Sequence, residues 1–269
     1  MTVIAHISDL HFGRDLQPVT EGLLASLDAL QPELVIISGD LTQRAKTAEF
    51  EAGQDFLRRL QQPRFIIPGN HDLAAWNVLE RFAYPWRKWK RHVSADLEPM
   101  MQTDAFIAVG VNTARRMGWY LDWSRGRVNG KQIRFVQDML QQAPEDCLRL
   151  VVAHHPFWLP DSSMSRSLIG GREAALQAFR AAGVDLILGG HVHLAYVQPL
   201  EGMLVSHAGT TISNRLIPGQ PNSFNIIRGD RKVLELEQME WRGDGFKSIQ
   251  KQFFNRGEGG WQPHDDFQP

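Results

Sequence analysis

Short apolar runs alternate along most of this chain with stretches in which apolar residues recur every three or four positions, a pattern that predicts an α/β fold. Residues 3–8 read as a buried strand. Over residues 19–30, Leu23, Leu24, Leu27 and Leu30 fall at helical spacing and Pro32 follows as a stop, so a covering helix is expected. Residues 33–38 are a second strand whose near-continuous apolar character implies burial on both faces. A helix over 47–60, with Phe50, Phe56, Leu57 and Leu60 on one side, leads to a third strand at 64–68. This βαβαβ order favours a parallel core.

Strands at 105–111, 148–153 and 184–188, with helices at 132–142 and 173–182, continue the alternation. The last strands, 203–207, 223–228 and 233–241, have no helices between them and suggest an antiparallel second sheet. From Asn255 onward glycine, proline and acidic residues replace the apolar pattern. One domain over 1–254 and a mobile tail over 255–269 are therefore expected. There is no internal repeat and no heptad run.

Residues 76–92 break the pattern by mixing Trp76, Phe82, Tyr84, Trp86 and Trp89 with Arg81, Arg87, Lys88, Lys90 and Arg91. An amphipathic helical excursion with its aromatics inward accounts for this. Substrate contacts from a cap, or attachment to a membrane interface, are the alternatives. With the Arg-, Gly- and Trp-rich loop at 115–130, the excursion spans 76–130. A mobile loop near the site is read at 162–167.

Composition narrows the function. In a chain of 269 residues, 43% hydrophobic and 22% charged content is ordinary for a globular protein with a sizeable core. A net charge of −1 gives no general attraction to nucleic acid, so a nucleic-acid partner is not expected. Cys147 is the only cysteine, which excludes an intrachain disulfide and a thiolate metal cluster. The N-terminus lacks a basic leader, and no apolar run approaches the roughly 18 residues of a spanning helix, so a cytoplasmic location is expected.

The chemistry lies just after the apolar runs. Asp9-Leu10-His11, Gly39-Asp40, Gly69-Asn70-His71-Asp72, His154-His155-Pro156 and Gly190-His191-Val192-His193 each follow a predicted strand. Open α/β sheets place their sites at such strand ends. Singly, each cluster is unremarkable. Together they bring more carboxylate, amide and imidazole groups to one place than can be buried without ions. The two-residue spacing in Asp9-x-His11 and His191-x-His193 sends both side chains of each pair to one side, and the two glycines before His191 let the backbone turn sharply. Two adjacent cations need a shared carboxylate, for which Asp40 is the candidate. The donor set suits two divalent or mixed-valence transition metal ions, manganese, iron or zinc. No Gly-x-Ser-x-Gly elbow or Walker-type glycine loop is present, which disfavours a serine hydrolase or a P-loop nucleotidase.

These five blocks, in this order over residues 3 to about 210, resemble the calcineurin-like metallophosphoesterase family. The resemblance implies a four-layer αββα sandwich of two mixed β-sheets flanked by helices, with a dinuclear metal site at the strand ends. It implies that Asp9, His11, Asp40 and His193 hold one ion, and that Asp40, Asn70, His154 and His191 hold the other. His155 would then lie behind the ligands or touch substrate. His71, oriented by Asp72, would stabilise the transition state or protonate the leaving alkoxide during in-line attack by a metal-bridging hydroxide.

The short chain, the Asn112-Thr113 strand end with its glycine-bearing loop, and the His154-His155-Pro156 form are similar to class III cyclic-nucleotide phosphodiesterases and their glycerophosphodiesterase relatives. A small-molecule phosphodiester is the substrate this implies. A pyrophosphatase acting on a nucleotide-linked lipid of the UDP-diacylglucosamine type, a nuclease, and a non-catalytic binding module on the same scaffold are the other readings.

Overall fold

The computed structural model describes residues 2–74, 78–116, 125–160 and 167–264, with only the backbone at 78–80. Its elements run β1 (Thr2–Ile7), α1 (Gln17–Leu30), β2 (Leu34–Ile37), α2 (Thr47–Arg59), β3 (Arg64–Ile66), α3 (Val78–Ala83), α4 (Arg87–His92), β4 (Met100–Gln102) and β5 (Phe106–Val111). Then follow α5 (Gly130–Gln141), β6 (Leu148–Ala153), α6 (Arg172–Ala181), β7 (Leu186–Gly189), β8 (Tyr196–Leu200), β9 (Met203–His207), β10 (Ser223–Gly229), β11 (Val233–Trp241), β12 (Phe246–Gly257) and β13 (Gly260–Pro263).

Local chemistry explains the helix ends. In α1, Pro18 occupies the first turn, where its missing N–H costs nothing, and Gln31 closes the helix in a left-handed conformation ahead of Pro32. In α2 the Glu49 carboxylate accepts from the free backbone N–H groups of Arg44 and Lys46. At α5, Asn129 accepts from the amides of Lys131 and Gln132 while the Gln132 side chain accepts from the Asn129 amide.

The strands form two mixed sheets, ordered β13-β12-β11-β10-β1-β2-β3 and β4-β5-β6-β7-β9-β8. Side-chain alternation sorts their apolar residues into three layers. On β2, Leu34 and Ile36 face inward to meet Leu150 and Val152 of β6 and Leu186 and Leu188 of β7 between the sheets. Val35 and Ile37 face outward, in one core with Leu23 and Leu27 of α1 and Phe50 and Leu57 of α2. On the far side Val151 and Ile187 share a core with Val136 and Leu140 of α5 and Leu176 and Phe179 of α6. Three apolar layers separate four layers of structure, the expected αββα sandwich.

The C-terminal strands depart from expectation. β10 to β13 extend the first sheet from the antiparallel edge of β1, and β9 joins the second sheet parallel to β7, so no separate antiparallel sheet forms. Once β2 pairs with one edge of β1, the other edge stays open to β10, which is what recruits the meander.

The mobile tail expected from Asn255 is also corrected. Residues 255–257 finish β12 and Gly260–Pro263 form β13, with Trp261 buried and its indole N–H donating to Asp185. The sequence signal failed because Glu258 and Gly259 mark a two-residue hairpin turn, with Gly257 paired to Gly260, rather than loss of structure. Residues 265–269 lie outside the described residues.

In the 76–92 segment, Trp89 is fully buried and His92 stacks on Phe50, so α4 docks on α2 as an inward-facing aromatic predicts. Phe82 and Tyr84 instead face solvent. Trp76, and the parts of the expected loops at 117–124 and 162–166, lie outside the described residues. Among the described residues, no helix is long and apolar enough to cross a membrane.

Candidate metal centre

The five polar blocks converge at the carboxyl ends of β1, β2, β3, β6 and β7. Asp9, His11 and His193 form one group whose ligand atoms lie within 4.8 Å of one another, and Asp40, His154 and His191 form a second. In the first, His193 Nε2 is 3.2 Å from His11 Nε2 and 3.3 Å from Asp9 Oδ1. In the second, His154 Nε2 is 3.2 Å from Asp40 Oδ2, and His191 Nδ1 lies 2.9 Å from Asn70 Oδ1. The same Asp40 oxygen is 3.8 Å from His11 Nε2, so it faces both groups.

Neighbouring carbonyls fix two of the imidazoles. His154 Nδ1 donates to the Ser38 carbonyl (2.8 Å) and His193 Nδ1 to the Arg215 carbonyl (2.6 Å), which leaves each Nε2 lone pair facing inward. Asp9 Oδ1 and His154 Nε2 are fully buried yet lack a hydrogen-bond partner of good geometry. A buried carboxylate oxygen and a buried imidazole nitrogen left in this way fit a cation.

Electrostatics agree. Burial works against charge on Asp9 and Asp40, but the surrounding histidines outweigh it, His193 foremost at Asp9 and His154 at Asp40. Both carboxyls are held well below the usual carboxylate range. Burial also opposes an imidazolium at His154, yet Asp40 raises that ring to about 9. The site attracts positive charge.

The backbone achieves the convergence differently from the sequence reading. Asp9, His11, Asp40, His191 and His193 all adopt left-handed conformations, with φ of 53°, 47°, 51°, 71° and 59°. Strand alternation therefore does not aim these pairs; tight left-handed turns past the strand ends do. Asp and His tolerate this region better than most residues, though each such turn costs on the order of 1–2 kcal/mol.

Gly190 is not the turning residue, because its φ is not positive. Its role is close approach: a Cβ there would lie 1.9 Å from Ser8 Oγ and 2.4 Å from Asp9 Oδ2. Gly190→Ala should consequently displace Asp9. Elemental analysis of the purified variant should find less than half the wild-type metal content, and unchanged content would remove the close-approach argument.

His71 and Asp72 need a correction. Asp72 does not orient the His71 ring; its carboxylate accepts from the amides of Leu41, Thr42 and Gly69 and from the Thr42 hydroxyl. It ties the turn at Asn70–Asp72 to the loop after β2, because those free N–H groups outcompete a neighbouring ring. Burial, with Asp40 nearby, pushes its carboxyl up to about 7 against these donors. The His71 ring is instead held by Nδ1 donating to the Gln43 carbonyl at 2.8 Å, while its backbone N–H donates to Asp40 Oδ1 at 2.8 Å. Burial, together with His11 and Arg215, lowers the His71 pKa despite Asp40.

His155 is buried, with Nδ1 2.7 Å from the Thr113 hydroxyl and its ring against His191. It therefore packs directly beside His191, one of the two rings of the second group. The carbonyls of Ser38, Gln43 and Arg215 left no signal in the sequence, since any residue supplies a carbonyl.

Beyond the ligands, burial lowers His6 and His207 to about 3, helped at His6 by the charge of His207, so both rings are neutral in the folded protein. Their unfolded counterparts take up protons below about 6.5. Stability present above that pH is lost between about 6.5 and 3, at roughly 1.4 kcal/mol per pH unit for each ring. Urea unfolding of chelator-treated protein should show this acid limb, and His207→Gln should reduce its slope by about one proton. An unchanged slope would contradict a neutral His207.

Two groups of carboxylate and imidazole side chains that could each hold a metal ion, with Asp40 facing both, make the rim of this αββα sandwich a candidate dinuclear metal centre. The chain belongs to the calcineurin-like phosphoesterase family, whose match spans residues 2–195. It is 26% identical over 165 residues to a probable glycerophosphodiester phosphodiesterase of Arcobacter nitrofigilis, covering 61% of this chain and 57% of that one. It is 25% identical over 205 residues to a probable cyclic nucleotide phosphodiesterase of a Synechococcus species, covering 72% and 74%. The chain thus spans little more than half of the Arcobacter relative's length. Its fold is similar to that of a dimetal phosphatase from Danio rerio, with a TM-score of 0.65 at 11% identity over 94% of this chain and 98% of that one.

Proposed function

We propose that this chain is a two-metal phosphodiesterase acting on a small phosphodiester, a cyclic nucleotide or a glycerophosphodiester. The observation that carries this reading is Asp40, whose Oδ2 faces both ligand groups. Asp9, His11, His193 and Asp40 would hold one ion, and Asp40, Asn70, His154 and His191 the other. Manganese, iron or zinc suits these donors. When bound, the ions supply Lewis-acid charge that polarises the phosphoryl group and activates a water for in-line attack.

His71 handles the proton. With Nδ1 committed to Gln43, the ring presents Nε2 to the site. A phosphate anion beside it favours the imidazolium, which can give its Nε2 proton to the leaving oxygen. Asp72 acts on His71 only through the turn it anchors.

Metal analysis of purified protein, with hydrolysis assays over cyclic nucleotides, glycerophosphodiesters and bis(p-nitrophenyl) phosphate, tests the reading. Bound transition metal and metal-stimulated diester hydrolysis are expected. Absence of both would favour a non-catalytic binding module on this scaffold.

A second reading rests on one surface. Exposed Tyr84 lines a 510 Å³ pocket with Pro85, Trp86, Arg87, Lys90 and Arg116, a mix of aromatic and cationic groups suited to a lipid interface. That favours a nucleotide-linked lipid as the pyrophosphate substrate. Flotation with anionic vesicles decides it: no association by wild type would eliminate the lipid reading.

A further inference from the structure

Arg215 lies in the loop between β9 and β10, outside all five ligand blocks, yet it touches three imidazoles of the centre. Its Nη1 is 3.0 Å from His71 Nε2 and 3.3 Å from His11 Nε2, and its carbonyl accepts from His193 Nδ1. The loop is well anchored. The Asn222 side-chain amide donates to the carbonyls of Thr210 and Ser213, the Thr210 hydroxyl donates to the Arg215 carbonyl, and Asn214 N donates to the Arg14 carbonyl. The side chain of Arg215 is half-buried, and its guanidinium is set against His71 and His11 at the edge of the centre.

This placement has an electrostatic consequence. A guanidinium within 3.3 Å of a nitrogen assigned to a cation would sit close to that cation, and two like charges at such a distance repel. An anion between them removes the conflict. A phosphoryl group is such an anion, and the planar fork of arginine matches two of its oxygens, which lysine cannot do. We propose that Arg215 is a substrate-positioning residue whose guanidinium binds the non-bridging oxygens of the phosphoryl group, next to His71. This proposal rests on the two-metal phosphodiesterase reading above. It adds a ligand for the phosphate that is neither a metal ion nor a member of the ligand blocks.

Only the side chain is at issue, because the contact to His193 uses the backbone and survives substitution. Calorimetric titration of inorganic phosphate into metal-loaded wild type, Arg215→Met and Arg215→Lys, with metal content measured on each, tests the proposal. Arg215→Met should keep wild-type metal content and bind phosphate roughly ten- to a hundredfold more weakly, the loss of one or two charge-assisted hydrogen bonds. Arg215→Lys should recover part of the affinity. KM for bis(p-nitrophenyl) phosphate should rise in parallel. Wild-type phosphate affinity in Arg215→Met overturns the proposal while leaving the phosphodiesterase reading intact, and so does loss of metal from that variant, which would make Arg215 a support for the ligands. A wild type that neither binds phosphate nor hydrolyses the diester overturns the underlying reading instead.

Discussion

Asp40→Asn should lower kcat/KM for a phosphodiester by at least about a hundredfold, equivalent to roughly 2.7 kcal/mol of transition-state stabilisation. Elemental analysis should show loss of at least one metal ion. The reason is the shared position of Asp40. One of its oxygens faces His11 in one group and His154 in the other, so removing its charge weakens both groups together. Asparagine keeps an oxygen for the His71 N–H, so the turn at Asn70–Asp72 should persist. Circular dichroism should stay unchanged, separating lost ligation from lost fold. Full activity with two ions bound would show that Asp40 is not the shared ligand.

His71→Ala should give the opposite division between binding and rate. Both ions should remain, because the contact of residue 71 to Asp40 is made by a backbone N–H that alanine retains. Turnover of a substrate with an alkoxide leaving group should fall by about 10²–10⁴, the usual contribution of a positioned acid. The loss should be much smaller for bis(p-nitrophenyl) phosphate, whose leaving group departs without a proton. Loss of metal from His71→Ala, or an equal loss for both substrates, would contradict the assignment of His71 as a proton donor.

Much of this site was legible before folding. Apolar runs of four to six residues are too short for a typical buried helix and are rich in β-branched side chains, so they read as buried strands, and a polar block after each run falls at a strand end. Ligand types were equally legible, since His, Asp and Asn are the side chains that present nitrogen and oxygen to borderline cations. Less legible were contacts made through backbone atoms. Gln43 orients His71 and Ser38 orients His154 by their carbonyls, which carry no residue signature. The assignment of Asp72 to the His71 ring failed for a related reason. Adjacency in sequence suggested a partner, whereas the free amides of Leu41, Thr42 and Gly69, brought in from another segment, claimed the carboxylate.

By itself, the sequence determined the parallel βα units and the polar blocks that end their strands, because periodicity and side-chain chemistry are local properties. Tertiary structure decided the rest. It added β10 to β13 to the free edge of β1 and ordered the chain as far as Pro263, because sheet edges pair with whatever strand reaches them. It turned the ligands inward through left-handed backbone that no spacing announces. It also brought Arg215 from a loop 144 residues away to the edge of His71, a proximity that exists only once β10, β1, β2 and β3 have paired in one sheet.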